Sequence, residues 1–146
     1  MSKRNRDYLE LVFGPLYERH YTEEAGCFYC GQPLSCWDHC PPLHWIETTK
    51  NKYKKVLLKS CTSCNTKLGD KPLFTAYDRA VFLHDNLMAE FEKLGWEDRT
   101  WEEIEGMKRG LLKSLASRDK MKGEILSDRI RFIQQRLLNK DSFPDE

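Results

Sequence analysis

The sequence predicts an α+β fold: a short-stranded, thiol-rich motif with a helix before it and a helical region after it. Three observations predict this. All six cysteines fall between Cys27 and Cys64, a segment rich in turn-forming residues. After Pro72 the apolar residues recur at helical spacing as far as Leu137, and residues 6–20 carry the same period. A length of 146 residues fits one domain. We read it as an N-terminal helix over 1–25, a bracketed motif over 26–71 and a helical extension over 72–140.

The N-terminal helix rests on Tyr8, Leu9, Val12, Phe13, Leu16 and Tyr17, with Gly14-Pro15 breaking or kinking it. Within 26–71, "KKVLLKSC" is the best strand candidate. Beyond Pro72, one apolar stripe contains Leu73, Tyr77, Ala80, Val81, Leu87, Met88, Phe91 and Leu94, and Gly95 ends it. Thr100 with Glu103 forms a capping-box pattern that opens a second helix with Trp101, Ile104, Met107, Leu111 and Leu115 inward. A third helix is expected after Gly123, with Leu126, Ile130, Ile133 and Leu137 on one side, and the tail "DSFPDE" is expected to fray. Trp37, Trp45, Trp96 and Trp101 are read as core or interface residues. His20 and His84 receive no metal role.

Charged residues make up 32% of the chain and mean hydropathy is −0.70, which describes a well-hydrated surface. No apolar run is long enough to span a bilayer, and the polar start MSKRNRD lacks the apolar stretch of a secretory signal. The chain therefore reads as cytoplasmic, with no membrane partner. In that reducing compartment clustered cysteines are metal ligands more often than disulfides. The net charge of +1 predicts no partner, but it hides a basic segment: Lys50, Lys52, Lys54, Lys55, Lys59, Lys67 and Lys71 are opposed there only by Glu47 and Asp70.

Cys27-Phe-Tyr-Cys30 and Cys61-Thr-Ser-Cys64 are two C-x-x-C pairs. Each such turn aims two sulfurs at one point, and two turns complete a tetrahedral thiolate shell for a structural zinc ion. Gly31 permits the tight backbone after the second ligand. Cys36 and Cys40 are read as small core residues, with ligation beside His39 or His44 as the alternative.

Between the pairs stands Asp38-His39-Cys-Pro-Pro42, and directly after the last thiol stands Cys64-Asn65-Thr-Lys67. This order of residues resembles the His-Asn-His (HNH) endonucleases, in particular the zinc-binding branch written C-x-x-C, Asp-His-x-x-Pro, C-x-x-C-Asn. The resemblance implies a ββα-metal, treble-clef-like unit and a metal-dependent hydrolysis of phosphodiester bonds in DNA. It implies that His39 is the general base. Asp38 and Asn65 would hold a catalytic Mg²⁺ or Mn²⁺ ion. The chain departs from the pattern in having Lys54 and Lys55 near the place of the family's middle asparagine, with Asn51 slightly upstream. A histidine suits the base role because its ordinary pKa leaves much of it neutral near pH 7.

Lys50, Lys52, Lys54, Lys55, Lys67 and Lys71 are the expected nucleic-acid contacts, giving salt-sensitive and sequence-tolerant affinity. The alternative reading is a catalytically inactive zinc-binding treble-clef module that binds nucleic acid or a protein. On either reading the C-terminal helices could form a homodimer or partner surface.

Overall fold

The computed structural model describes residues 2–94 and 99–144. The expected helix stop at Gly95, and Trp96, lie outside the described residues. The chain is α+β. Helix α1 (Lys3–Phe13) is capped by Ser2, whose hydroxyl accepts from the amide of Asn5. It ends where Gly14-Pro15 forces a 3₁₀ turn over Gly14–Leu16. The expected helix over 1–25 is therefore shorter than the sequence suggests. Tyr17 is extended, and β1 (Glu18–Arg19) follows it. The proline ring and the turn after it direct the chain onto a sheet edge instead.

β2 (Cys36–Cys40) and β3 (Val56–Ser60) pair antiparallel, with Asp38 opposite Leu58 and His39 opposite Leu57. β1 pairs parallel to β3 on its other side, so the sheet order is β1-β3-β2. The strand expected in "KKVLLKSC" is thus the central one. Val56, Leu58 and Ser60 are buried while Leu57 and Lys59 are half-buried, the two-residue alternation of a strand covered on one face. Between β2 and β3 run a 3₁₀ turn over Leu43–Trp45 and the short α2 (Ile46–Thr49). β3 leads directly into α3 (Thr62–Leu68), which stops at Gly69 with φ +50°.

Helix α4 (Ala76–Lys93) starts at Thr75, whose hydroxyl accepts from the amide of Asp78. Thr100 caps α5 (Trp101–Glu105) in the same way through Glu103, as the capping-box pattern predicts. The remaining helix, α6 (Leu111–Leu138), corrects the sequence reading twice. It runs unbroken through Gly123, which is buried in its middle, so no third helix begins there. The cost of a mid-helix glycine is only about 1 kcal/mol, which tertiary burial of Leu126, Ile130 and Ile133 exceeds. Leu111 is also not inward: it is 73% exposed. The tail is corrected as far as Phe143, while Asp145 and Glu146 lie outside the described residues. Lys140–Ser142 forms a 3₁₀ turn, and Phe143 is buried with its ring edge-on to both Phe28 and Tyr77.

The main core joins the cysteine turns, β2, β3 and α3 to α4 and α6, with Leu58, Leu68, Ala80, Leu83, Leu87 and Ile133 fully buried. A smaller cluster of Leu9, Tyr17, Leu43 and Ile46 seats α1 against the turn after β2. At the centre of the main core lies an ion pair. The Arg79 guanidinium of α4 donates to both carboxylate oxygens of Asp38, at 2.6 and 3.0 Å, and to the carbonyl of Leu73 at 3.0 Å. The Tyr29 hydroxyl donates to Asp38 at 2.7 Å. Removing one partner of such a buried pair leaves the other charge uncompensated. Arg79→Ala is therefore expected to destabilise the protein by about 3–5 kcal/mol in a denaturant titration. A loss below about 1 kcal/mol, the range of an exposed pair, would refute that role.

Candidate functional site

Two sites lie within the motif. The first is the thiol cluster. The sulfurs of Cys27, Cys30, Cys61 and Cys64 all lie within 4.8 Å of one another and all four residues are buried. The backbone builds this from both sides. The amide of Gly31 donates to the carbonyl of Cys27, closing the first turn, and Gly31 takes φ +79°. A side chain there would also collide with Phe132 of α6. In the second pair Cys61 caps α3, its sulfur accepting from the amide of Cys64 at 3.4 Å.

Four thiolates around zinc would have sulfurs about 3.8 Å apart, given Zn–S bonds of about 2.3 Å in a tetrahedron. Cys30 and Cys61 stand at 3.6 Å, and none of the six cysteines forms a disulfide. The cluster could hold a metal such as zinc. The four thiols act on one another: hydrogen bonding, first with Cys27, pulls the Cys30 thiol down to about 7 and lowers Cys61, while hydrogen bonding with Cys30 raises Cys27 and hydrogen bonding with Cys27 raises Cys64. A metal binds all four as thiolates, so its uptake would release their remaining protons. A second helix contributes too: Arg129 of α6, almost buried, donates to the Cys64 sulfur at 3.3 Å. A zinc ion with four thiolates carries two negative charges, which a guanidinium at that distance partly offsets. Cys36 and Cys40 stand apart from the cluster, their sulfurs hydrogen-bonded to the carbonyls of Ser60 and Phe74.

The second site is a cleft of about 470 Å³ beside β2. Arg6, Asp7 and Glu10 of α1 form one wall, and Asn65, Thr66, Gly69 and Asp70 at α3 form another. Trp37, His39 and His44 also line it. The His39 side chain is 26% exposed, with Nε2 2.9 Å from an oxygen of Glu10. The Tyr17 ring stands edge-on to the imidazole, centroids 4.9 Å apart. Burial moves the His39 pKa below its ordinary value, and the carboxylates of Glu10 and Asp38 oppose that shift. Asn65 is exposed at the cleft.

Asp38 is where the sequence reading needs correction. It borders the same cleft, but its side chain belongs to the core, with both oxygens bound by Arg79 and one also by Tyr29. The reason is strand geometry: successive side chains point to opposite faces, so with His39 turned to the cleft the Asp38 carboxylate turns to Arg79 and Tyr29 on the core side. Both Asp38 oxygens are therefore already engaged, and of the two donors expected for Mg²⁺ or Mn²⁺ Asn65 is the one exposed at the cleft. The signal for this was present at Arg79, a charged residue inside the buried stripe of Ala76, Ala80 and Leu83.

The lysines also sit differently from expectation. None of the six lines the His39 cleft. Lys67 is paired with Glu90 and donates to Asn86 at 2.9 Å, joining α3 to α4. Lys71 donates to the carbonyl of Lys67, and Lys54 to that of Pro144. Lys52 lies over the Tyr53 ring. Lys50 and Lys55 line a separate groove with Phe13, Leu16, Ile46 and Glu47. A run of like charges in sequence diverges here because the turn over 50–55 spreads it around the molecule. Glu10 and Tyr17 carried no signal beyond their helical spacing. What brings them to His39 is the docking of α1 through Leu9.

Comparison with protein-family models, with curated proteins and with solved structures finds no match. Elemental analysis of the purified protein is expected to find one zinc ion per chain, lost in Cys64→Ser. Zinc in such a site contributes on the order of 10 kcal/mol to folding in small peptides, so the variant should lose helicity and cooperative melting. Full helicity and an unchanged Tm in metal-free Cys64→Ser would rule out a structural metal.

Proposed function

We propose that the protein is an HNH-type endonuclease that hydrolyses phosphodiester bonds in DNA at the His39 cleft. The observation that carries this reading is the pairing of a half-buried imidazole with an exposed amide, His39 and Asn65, across one open cleft. The order of elements supports it, since β2, β3 and α3 come in that order along the chain, with one thiol pair before β2 and the other at the start of α3. His39 is the general base. Its lowered pKa keeps the imidazole neutral near pH 7, so it can accept a proton from water attacking phosphorus. Among the described residues Arg6 is the one lysine or arginine lining the cleft, and it is the natural contact for a substrate phosphate.

Mg²⁺ typically takes one or two protein oxygens and completes its shell with water and substrate phosphate. Asn65 would hold it from this chain, and when bound it neutralises charge on the departing oxygen. Asp38 acts in this reading as the residue that fixes β2, and with it His39, to α4. Lysines outside the cleft contribute only longer-range attraction for DNA.

A second reading is favoured by one observation, the occupation of both Asp38 oxygens by Arg79. On it the protein is a catalytically inactive zinc-binding module for nucleic acid or a protein partner. Leu111, Leu112, Met121, Ile125 and Leu138 are exposed on α6 and would serve a partner or a second copy. No helix among the described residues is long and apolar enough to cross a membrane.

Plasmid nicking with Mg²⁺ or Mn²⁺ separates the two readings. Wild type is expected to nick, and His39→Ala to lose about a hundredfold or more. The rate should rise with pH through the His39 pKa, which burial sets below 6.5, and then level off. Equal activity in both proteins, or none in either, refutes the nuclease. Stability follows the same sign. A histidine whose folded pKa is depressed contributes stability above its unfolded pKa, and loses that contribution as pH falls through the folded value. His39→Gln should accordingly flatten the decline of Tm below about pH 6.5.

A further inference from the structure

We infer that Glu10 is the positioning residue for His39, holding the imidazole so that Nδ1 is its basic nitrogen. The contact is direct: Nε2 of His39 lies 2.9 Å from Oε2 of Glu10. An ionised carboxylate only accepts hydrogen bonds, so Nε2 must carry the proton. In a neutral imidazole the lone pair then belongs to Nδ1.

Three features of the fold hold this arrangement. Leu9, the residue before Glu10, is buried with Tyr17, Leu43 and Ile46, and this pins α1 over the turn that follows β2. Helical spacing then puts Glu10 on the same cleft-facing side as Arg6 and Asp7. The carboxylate lies against Gly14: a Cβ there would come within 2.8 Å of Oε1 and 3.0 Å of Cδ of Glu10, so the carboxylate would have to shift. The imidazole also stands edge-on to the Tyr17 ring, whose hydroxyl donates to the carbonyl of Pro41, two residues beyond His39. His39 is thus held by an acceptor at one nitrogen and an aromatic edge at the ring. A β-strand alone would leave χ1 and χ2 to rotate.

Other charged groups face the imidazole. Asp38 and Arg79 lie behind β2, while His44 and Asp70 share the cleft with Arg6 and Asp7. Only Glu10 makes an ion pair with it among the described residues. Glu10 favours the imidazolium and burial opposes it, so loss of the carboxylate moves the His39 titration to lower pH.

The catalytic meaning of this inference rests on the nuclease reading; the contact and the tautomer do not. The test therefore uses two readouts on full-length wild type, Glu10→Gln and Glu10→Ala. Glu10 is 53% exposed, so both variants should fold, which circular dichroism checks. Long-range ¹H–¹⁵N spectra of His39, assigned by its loss in His39→Gln, should show the Nε2–H tautomer in wild type. Both variants should titrate at lower pH than wild type, and Gln, whose amide can donate, should raise the Nδ1–H fraction. In the nicking assay kcat should fall on the order of tenfold or more with KM unchanged, because a wrong tautomer impairs only the proton transfer. The acid limb should move in the same direction as the NMR titration. An Nδ1–H tautomer in wild type, or a His39 titration unmoved in Glu10→Ala, overturns the inference whatever the nicking result. Wild type inactive on DNA but showing the expected tautomer and shift retires the nuclease reading and leaves the positioning contact standing.

Discussion

The buried triad of Asp38, Arg79 and Tyr29 is the interaction on which the rest of the structure depends. Each residue belongs to a different part of the chain. Tyr29 sits inside the first C-x-x-C turn, Asp38 is on the strand next to His39, and Arg79 is on the first long helix of the C-terminal region. A charge pair this deep is costly to desolvate, and it is tolerated only where both partners find full hydrogen bonding. Here Asp38 receives three donated hydrogen bonds, and Arg79 has a further acceptor at Leu73. The geometry that satisfies these groups admits little variation. It therefore sets the relation of the thiol turn to the sheet and of the sheet to α4 together.

The thiol cluster extends the same logic along α6. Arg129 approaches Cys64, Phe132 lies over Gly31, and Arg136 donates to the carbonyl of Phe28 while stacking on its ring at 4.2 Å. Spaced three and four residues apart, these side chains form one helical face that runs from the second cysteine pair to the first cysteine turn. The long helices are thus the second wall of the thiol cluster, and not an appendage to a motif complete in itself. Phe143 closes the arrangement by packing between Phe28 of the turn and Tyr77 of α4.

The cleft lies on the outer surface of that core. His39 faces away from the triad, onto a cleft whose far wall is α1. The cleft is built from segments distant in sequence, and its best-held group is the imidazole, between Glu10 and Tyr17. The electrostatics are divided in a useful way. The buried charges of Asp38 and Arg79 neutralise each other within the core, while His39 and Asn65 at the cleft keep some exposure. Lysines that form a block in sequence are dispersed by the turn between α2 and β3, and Lys67 serves as a strut between α3 and α4.

Much of this was legible in the sequence, and for local reasons. Two C-x-x-C spacings bring sulfurs together through turn geometry alone, and the four buried thiols do converge. Alternation in "KKVLLKSC", the cap at Thr100 and the break at Gly14-Pro15 each act over a few residues, so each is present in the elements observed. What failed had a non-local cause. Gly123 stays helical because the residues around it are buried against other elements, and Phe143 is ordered by an aromatic pocket drawn from two distant segments.

Asp38 marks the boundary most clearly. The sequence by itself determined a cysteine cluster able to hold a metal, a central strand and a run of amphipathic helices, since spacing and periodicity are properties of the chain. Only the tertiary structure decided which neighbours the ionisable groups would meet. Arg79 lies far along the chain from Asp38, and Glu10 far before His39, and nothing in the spacing of either pair announces the contact. Strand alternation separates Asp38 from His39; burial then pairs the first with a guanidinium and docking of α1 pairs the second with a carboxylate. Charge complementarity becomes a structural fact only once packing has excluded water from between the partners.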